Sequence, residues 1–542
     1  MRSLKILACG LTLIAAAWAQ TYSAGPQVVT FFSEIDDTDQ PYGLYVPHDY
    51  DGSKKYPLVV SLHGAGSNHR LNLRRVFGRG NSSGETDAEA TRYFPPLRNV
   101  DYVVACPLAR GTMGYQGIAE HDVYDMIADV KKRFSIDEDR VYLTGLSMGG
   151  GGALWLGLTR PDLWAAVAPV CAAAPEQARD LTGNALNLPM HLFHGSIDPV
   201  VPVGSSRRWQ HDLLELGCSV EYTEYPNVRH NSWESAYRNG ALFDLLQQFR
   251  RNRFPRHVRF ATTHYKYASA YWTHLDGITP GTLAEIEAEL SGKDVVTVHT
   301  KNVNGFTLNL NDRPLAIVID GEKIKPRQAI SFLKTASGWT AGRYSPPSGF
   351  KRQDREGPIS EAVAARHIYV YGSGGFPTPE ELGSRRHQAE NAAEWSTARS
   401  RLLLSLRAVQ DKKVRPRDIE SANLVLLGTK ETNTLIAHYA AQLPIALNPS
   451  AADYGLVFIY PAGSHYLLIN SGLPWWTGAD EAKRGGWSFV PEKLRVLQTL
   501  GDFILFKGSL ENVIAEGIFT PDWKLPPEAA QRMRASGAVE IR

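Results

Sequence analysis

The spacing of apolar residues divides the chain into regions of different period. Short apolar runs, rich in β-branched residues, recur through the first half at 56–62, 102–106, 141–146, 164–170 and 189–194, and a more polar run at 220–225 reads as a last strand. A run that is apolar at every position suits a strand buried on both faces, as in a parallel sheet. Between these runs the period lengthens: Val123, Ile127, Val130 and Phe134 fall on one face of a helix over 120–134, and 151–158, 205–216 and 241–249 also predict helices. Two earlier strands, 27–32 and 42–47, are joined by the acidic turn Asp36-Asp37-Thr38-Asp39. Strands alternating with helices in this way predict an α/β doubly wound sheet.

After Arg256 the pattern changes. Runs at 258–262, 270–275, 295–300, 306–310 and 315–320, separated by turns such as Asn302-Val303-Asn304-Gly305, predict a small β-rich module. Ser345-Pro346-Pro347-Ser348-Gly349 and the charged residues 351–356 read as a linker. Beyond it, a strand at 367–371, a long helix over 379–409, a strand at 423–427, a helix over 432–442 and strands at 455–460 and 466–470 predict a second, smaller α/β domain of flavodoxin-like layout. The turn Tyr371-Gly372-Ser373-Gly374-Gly375 lacks the full dinucleotide fingerprint and any Lys-Ser/Thr pair, so a plain tight turn is expected there. Trp475, Trp476 and Trp487 are expected to pack as buried or interface residues, with stacking on sugar rings as the other use of such side chains.

With 542 residues the chain is too long for one hydrophobic core. Its formal charge of +2 gives no electrostatic case for nucleic acid or a membrane surface. The first residues have a separate pattern: Arg2 and Lys5 precede a short apolar run over 6–17, and Ala17-Trp18-Ala19 before Gln20 fits a small-x-small cleavage site. This predicts a secretory signal peptide and a secreted or periplasmic protein. The apolar run directly before Cys9 is only Ile6-Leu7-Ala8, too short for a lipoprotein leader. No later run has the roughly 18 apolar residues of a membrane span. Cys106, Cys171 and Cys218 remain after cleavage, enough for one disulfide at most, and their apolar contexts predict buried thiols.

The chemistry concentrates in three places. Gly145-Leu146-Ser147-Met148-Gly149-Gly150 follows a buried strand and opens a helix, the layout of a nucleophile elbow. A serine hydroxyl is a poor nucleophile until a base takes its proton, and the base needs an acid to orient it. Asp198 and then His230 follow in the order nucleophile, acid, base, each just past its own predicted strand. The negative oxygen of a tetrahedral intermediate needs N–H donors, expected from Met148, directly after the serine, and Ala65 of His63-Gly64-Ala65-Gly66, in preference to Gly66. The rivals are weaker: His194 and His63 read as structural, and Asp180 and Asp212 lie in helical or polar segments rather than past a strand. Arg70, Arg74, Arg75 and Arg79, within the polar stretch 67–99 near the mouth of the site, read as a solvated helix face in preference to an anion site. No His-Glu-x-x-His or Cys-x-x-Cys spacing points to a metal, and no cofactor is expected.

Together His63-Gly64-Ala65-Gly66, Gly145 to Gly150, His194-Gly195-Ser196-Ile197-Asp198 with Val200-Val201-Pro202, and the late His230 resemble the α/β-hydrolase superfamily. Within it they resemble secreted polyhydroxybutyrate depolymerases, feruloyl or acetylxylan esterases, and the catalytic domain of prolyl-oligopeptidase-like proteins. The resemblance covers residues 25–255. Together with the patterns above, it divides the chain into a signal peptide at 1–19, an α/β-hydrolase catalytic domain at 20–255, the β-rich module at 256–345 and the α/β domain of unassigned role at 346–542. The expected activity is that of a serine hydrolase acting on esters, including polymeric or polysaccharide-linked ones. A peptidase with the same triad, and an inert binding protein on the same fold, are the alternatives. Few residues precede the catalytic region, which disfavours the β-propeller of prolyl oligopeptidases. The short connection between 170 and 190 predicts no large cap and an open cleft.

Overall fold

The computed structural model describes residues 22–292, 295–310, 316–324, 330–398, 400–480 and 489–542. The expected signal peptide and Trp487 lie outside the described residues. The strands of the first half form one eight-stranded sheet, buried at its centre and partly exposed at β1 and β8: β1 (Gly25–Ser33), β2 (Thr38–Val46), β3 (Tyr56–Leu62), β4 (Val103–Pro107), β5 (Ile136–Leu146), β6 (Ala166–Val170), β7 (Met190–Gly195) and β8 (Val220–Tyr225). Their order is β1-β2-β4-β3-β5-β6-β7-β8. β1 and β2 pair antiparallel as a hairpin and β2 pairs antiparallel with β4; the remaining neighbours are parallel. Every residue of β3, β4 and β6 is buried, as their unbroken apolar runs require. Helices His69–Val76, Ile118–Arg133, Met148–Thr159 and Gly204–Glu215 supply the crossovers. Helix Met148–Thr159 is buried along its whole length, so its apolar residues show little one-sidedness.

The second half contains two five-stranded sheets between residues 257 and 341 and a seven-stranded sheet between 367 and 517. The β-rich reading missed strand Ala284–Ser291, although Ala284, Ile286 and Ala288 alternate with glutamates and point inward. The α/β reading of the last region holds, with three differences. The seven-stranded sheet is mixed: strands Arg407–Gln410, His367–Tyr371, Asn423–Leu427 and His465–Gly472 are parallel neighbours, but Tyr454–Ala462, Phe503–Lys507 and Ser509–Gly517 extend it antiparallel. That departs from an all-parallel flavodoxin-like layout. The helix starting at Pro379 stops at Ala393, and the segment around Leu403 packs on the first half, where Leu403 N–H donates to the Arg110 carbonyl and its own carbonyl accepts from the Arg110 guanidinium. The expected linker is not a free tether either: Lys351 is buried and paired with Asp502, and Glu356 accepts the N–H groups of Tyr265 and Lys266. Lys351 and Glu356 are drawn in by these partners, while Arg352, Gln353 and Asp354 between them stay exposed.

Cys106, Cys171 and Cys218 are free and buried. Among the described residues no helix is long and apolar enough to cross a membrane.

Candidate active site

Strand β5 delivers Ser147 at the edge of the parallel sheet, and the chain reverses there. Ser147 has φ 56° and ψ −116°, a conformation costly for any residue with a side chain. The turn is tight enough to exclude a Cβ on both sides: one on Gly145 would lie 2.2 Å from the carbonyl oxygen of Gly149, and one on Gly149 2.1 Å from that of Leu62. The backbone is fixed by Ser147 N–H to the Val170 carbonyl (2.9 Å) and by the Ser147 carbonyl, which accepts from Gly151 and Ala173 (3.0 Å each).

Asp198 lies on the loop after β7 and His230 on the loop after β8, and the two loops are stitched together. Ser196 and Ile197 N–H groups donate to Tyr225 and Val228 carbonyls (3.0 and 3.1 Å), and Asn227 N–H donates to Ser196 Oγ (2.9 Å). The result brings together the three residues singled out from the sequence. His230 Nε2 lies 2.9 Å from Ser147 Oγ, and its Nδ1 lies 2.7 Å from Asp198 Oδ2. The other carboxylate oxygen of Asp198 accepts the N–H groups of Val200 (2.8 Å) and Val201 (3.0 Å). Burial by itself would raise the Asp198 pKa; the hydrogen bond from His230 and those two amides outweigh it and hold the carboxyl below its ordinary range. In such a chain the imidazole can take the serine proton while the carboxylate keeps Nδ1 protonated.

The rival groups are spent elsewhere. His194 is fully buried, with Nδ1 2.7 Å from Ser206 Oγ and Nε2 facing both the Val201 carbonyl (3.0 Å) and Asp198 Oδ2 (3.2 Å). Two acceptors around Nε2 assign its proton there, and burial depresses the pKa of the ring. His194 thus supports the acid loop. His63 spans the Gly64 and Leu108 carbonyls, 2.8 Å from each, and braces the loop that carries Ala65. Asp212 pairs with Arg179 at 3.0 Å, and Asp180 is exposed at the rim of a separate cavity.

The two expected oxyanion donors are placed differently from their neighbours. Gly66 N–H is spent on Thr112 Oγ1 (2.8 Å), whereas among the described residues no protein acceptor takes the N–H of Ala65 or Met148. Thr112 belongs to a segment the sequence reading passed over. Residues 108–117 brace the Ala65 loop through Leu108, Thr112 and Tyr115, whose hydroxyl donates to the His63 carbonyl (3.0 Å). Five residues in this segment have positive φ, three of them glycines at 111, 114 and 117, and that glycine spacing was its one visible signal. Arg110 at its centre is completely buried, 2.7 Å from both Asp36 and Asp122, and donates to Ser33 Oγ (2.6 Å).

Cys171 is a second residue the sequence reading left as purely structural. It follows β6 directly, with φ 39°, and its sulfur, an Asp198 oxygen and a His230 nitrogen all lie within 4.8 Å of one another. Burial pushes the thiol pKa up to about 12, so the sulfur is a neutral wall behind the histidine. Of the arginines singled out in 67–99, Arg79 is exposed, as expected of a solvated face, but Arg74 and Arg75 are not. Arg74 is buried and bonds to Ala90 and Gly80 carbonyls and to Glu85, while Arg75 pairs with Asp87 and lies over Trp233. Trp233 in turn meets the His230 ring edge-on at 5.6 Å. The Gly-rich turn at 371–375 is a plain turn: Ser373 is held by Asp411, and the Gly372 and Gly374 carbonyls bind Arg385. Trp475 is buried against Trp476.

Residues 119–240 match the family described as phospholipase/carboxylesterase. The cutinase est1 of Thermobifida alba is 31% identical over 106 residues, 20% of this chain and 33% of the cutinase. A thermostable esterase of known structure is 29% identical, with 42% of this chain and 63% of that one covered and a TM-score of 0.34. A ferulic acid esterase from Anaeromyces mucronatus, solved with ferulic acid, is 17% identical over 42% of this chain and 92% of its own, with a TM-score of 0.33. The chain spans about a third of the length of the cutinase and about three-fifths of that of the thermostable esterase.

Proposed function

From the premise that the eight-stranded sheet and its helices form an α/β-hydrolase domain, we propose that this protein is a secreted serine hydrolase of carboxylic esters, with polymer-borne esters as its substrates. The observation that carries the reading is the unbroken line Ser147 Oγ to His230 Nε2 (2.9 Å) and His230 Nδ1 to Asp198 (2.7 Å), on a serine held in a positive-φ turn. His230 takes the proton from Ser147 as its oxygen attacks the acyl carbon, and Asp198 stabilises the imidazolium. The intermediate's negative oxygen takes hydrogen bonds from the Met148 and Ala65 amides, each worth about 3 to 4 kcal/mol in the transition state. His230 returns the proton to the departing alcohol, leaving the acyl group on Ser147. Water, deprotonated by the same histidine, then releases the acid and restores the hydroxyl.

A polymeric substrate is favoured by what borders the triad. The chain crosses from β6 to β7 through short helical turns, Glu176–Asn187, without a cap domain. Ile197 and Val200, on either side of Asp198 in sequence, are 50% and 57% exposed, apolar surface beside the reacting groups. The likeness to the cutinase named above supports the ester reading. Secretion rests on the N-terminal pattern and predicts a mature chain starting at Gln20, checked by N-terminal sequencing of secreted protein.

The test pairs a serine-directed fluorophosphonate probe with a substrate panel of nitrophenyl esters, an aliphatic polyester, acetylated and feruloylated xylan, and peptides. Wild type is expected to label and to hydrolyse esters, including at least one polymer. Ser147→Ala is expected to lose labelling and at least about 10^4-fold in kcat. Equal labelling of the alanine variant would sink the enzyme reading, and higher kcat/KM on a peptide than on every ester would make the protein a peptidase.

A further inference from the structure

The loop that carries the Ala65 amide follows β3, and the loop that carries His230 follows β8. Strands β5, β6 and β7 lie between them in the sheet, so no ladder bond sets the distance from one loop to the other. A single side chain, Arg75, reaches toward both.

Residues 64–67 form a turn closed by Ser67 N–H to the Gly64 carbonyl (3.1 Å), with Ala65 and Gly66 exposed at its tip. Gly66 is tied to Thr112, and Ser67 Oγ accepts from Arg75 Nη1 at 3.3 Å. The same guanidinium gives Nη2 to both carboxylate oxygens of Asp87 (3.2 Å each) and lies over the Trp233 ring, 5.4 Å from its centre. The Trp233 and His230 rings are in turn 5.6 Å apart at an angle of 88°. Arg75 is 12% exposed, and Glu234, next to Trp233, adds a second negative charge near it.

The backbone around these groups is closely packed. Arg75 lies in the last turn of helix His69–Val76, and a Cβ on Gly78, just beyond that helix, would lie 2.3 Å from the Tyr237 carbonyl. Tyr237 ends helix Trp233–Ala236, and its hydroxyl meets Thr144 Oγ1 of β5 at 2.7 Å. The helix with Arg75 and the helix with Trp233 thus meet at a place anchored to the strand that delivers Ser147.

We propose that Arg75 is a positioning residue that holds the oxyanion loop and the base loop in register, through Ser67 and Trp233. Arginine suits this task because its N–H groups donate in the plane of the guanidinium while its face packs on the indole. Lysine keeps the charge but cannot make both kinds of contact at once. The Ala65 amide must be aimed at the developing oxyanion while His230 takes the Ser147 proton. A loop free to drift loses mainly that transition-state contact, so kcat falls and KM does not. The proposal rests on the serine-hydrolase reading above, but on no particular substrate.

The experiment measures the second-order rate of fluorophosphonate labelling of Ser147, and kcat and KM on a nitrophenyl ester. The variants are Arg75→Leu, Arg75→Lys, Ser67→Ala, Ser67→Thr and Arg75→Leu combined with Ser67→Ala, each assayed well below its melting temperature. Arg75→Leu is expected to lose about 30-fold in labelling rate and in kcat, with KM changed by less than about twofold. Arg75→Lys and Ser67→Ala are each expected to lose about fivefold, and Ser67→Thr to restore the rate. The double variant should be no slower than Arg75→Leu, since the leucine has already removed the Ser67 contact. The proposal is overturned if Arg75→Leu melts lower but labels and turns over at the wild-type rate, or if the Ser67→Ala loss appears in full in the double variant. Should Arg75→Leu fail to fold, Ser67→Ala decides, and an unchanged rate there overturns the proposal. Labelling that is intact while peptides are preferred over every ester overturns the ester reading alone, and Arg75 is then judged on the labelling rates; a wild type that does not label overturns both.

Discussion

Glu356 shows how a single side chain can carry the cost of joining the regions of this molecule. Its carboxylate accepts the Tyr265 and Lys266 amides at 2.6 and 2.9 Å, yet its pKa is raised to about 8, first by burial and then by the charge of Glu361, against the pull of those amides. The folded chain therefore keeps a proton that the unfolded chain loses near pH 4.5. Between those values the folded state binds more protons, so stability falls as pH rises, and above about pH 8 the penalty is complete. Glu356→Gln removes that titration at the expense of one amide contact. Thermal melts from pH 4.5 to 9 should show the melting temperature of the glutamine variant gaining on wild type up to about pH 8 and then running parallel. A gap independent of pH would refute the buried, protonated carboxyl. Asp198 is the opposite case at the same scale: also desolvated, it has a low pKa because His230 and two amides face it.

Among the elements, the strap at 108–117 connects the site to the rest of the chain. At one end Thr112 Oγ1 takes the Gly66 N–H and Leu108 meets His63. In the middle the Arg110 carbonyl accepts Leu403 N–H at 2.9 Å, and a Cβ on Gly111 would lie 2.5 Å from the Arg401 carbonyl. The loop that carries the Ala65 amide is thus held by a segment backed by residues 401–403. Thr112→Val keeps the shape and deletes the acceptor, so Gly66 loses its partner and the Ala65 N–H loses its aim. About a tenfold fall in kcat with KM little changed is expected on a nitrophenyl ester, as for an interaction made mainly in the transition state. Thr112→Ser should restore the rate; a valine variant as fast as wild type would show that the strap does not act on the loop.

For the whole molecule, the question is whether 20–255 stands alone. Glu120 and Trp155, on two helices of the hydrolase domain, bury themselves against Tyr267 and Lys266, and Arg110 bonds to Leu403. Cutting after residue 255 uncovers Trp155 and leaves the carboxylate of Glu120 without two of its donors. A fragment 20–255 is expected to melt below the full chain, to bind a hydrophobic dye and to hydrolyse a nitrophenyl ester more slowly. Equal melting temperature and kcat/KM for the two would mean that the later regions only accompany the hydrolase domain.

Residues near one another in the chain determined what the sequence could settle alone. Buried strands announce themselves as unbroken apolar runs, a strand-turn-helix around Ser147 needs its glycines locally, and each partner, Asp198 and His230, stands just past its own strand, so the order of the eight-stranded sheet's loops was legible before the fold. The helix ending at Ala393, the paired Lys351 and the strap were not, because each depends on a partner remote in sequence, nor were the braced arginines at 74 and 75, whose partners lie on the loop that follows their helix. Arg110 and Leu403 are 293 residues apart, and Lys351 and Asp502 are 151 apart. A charge reads as solvent-facing until the structure supplies its opposite, and an extended segment reads as helix until a neighbour takes its backbone bonds. Tertiary structure alone decided these features, since a buried charge or a free backbone group is stable only where packing brings its partner.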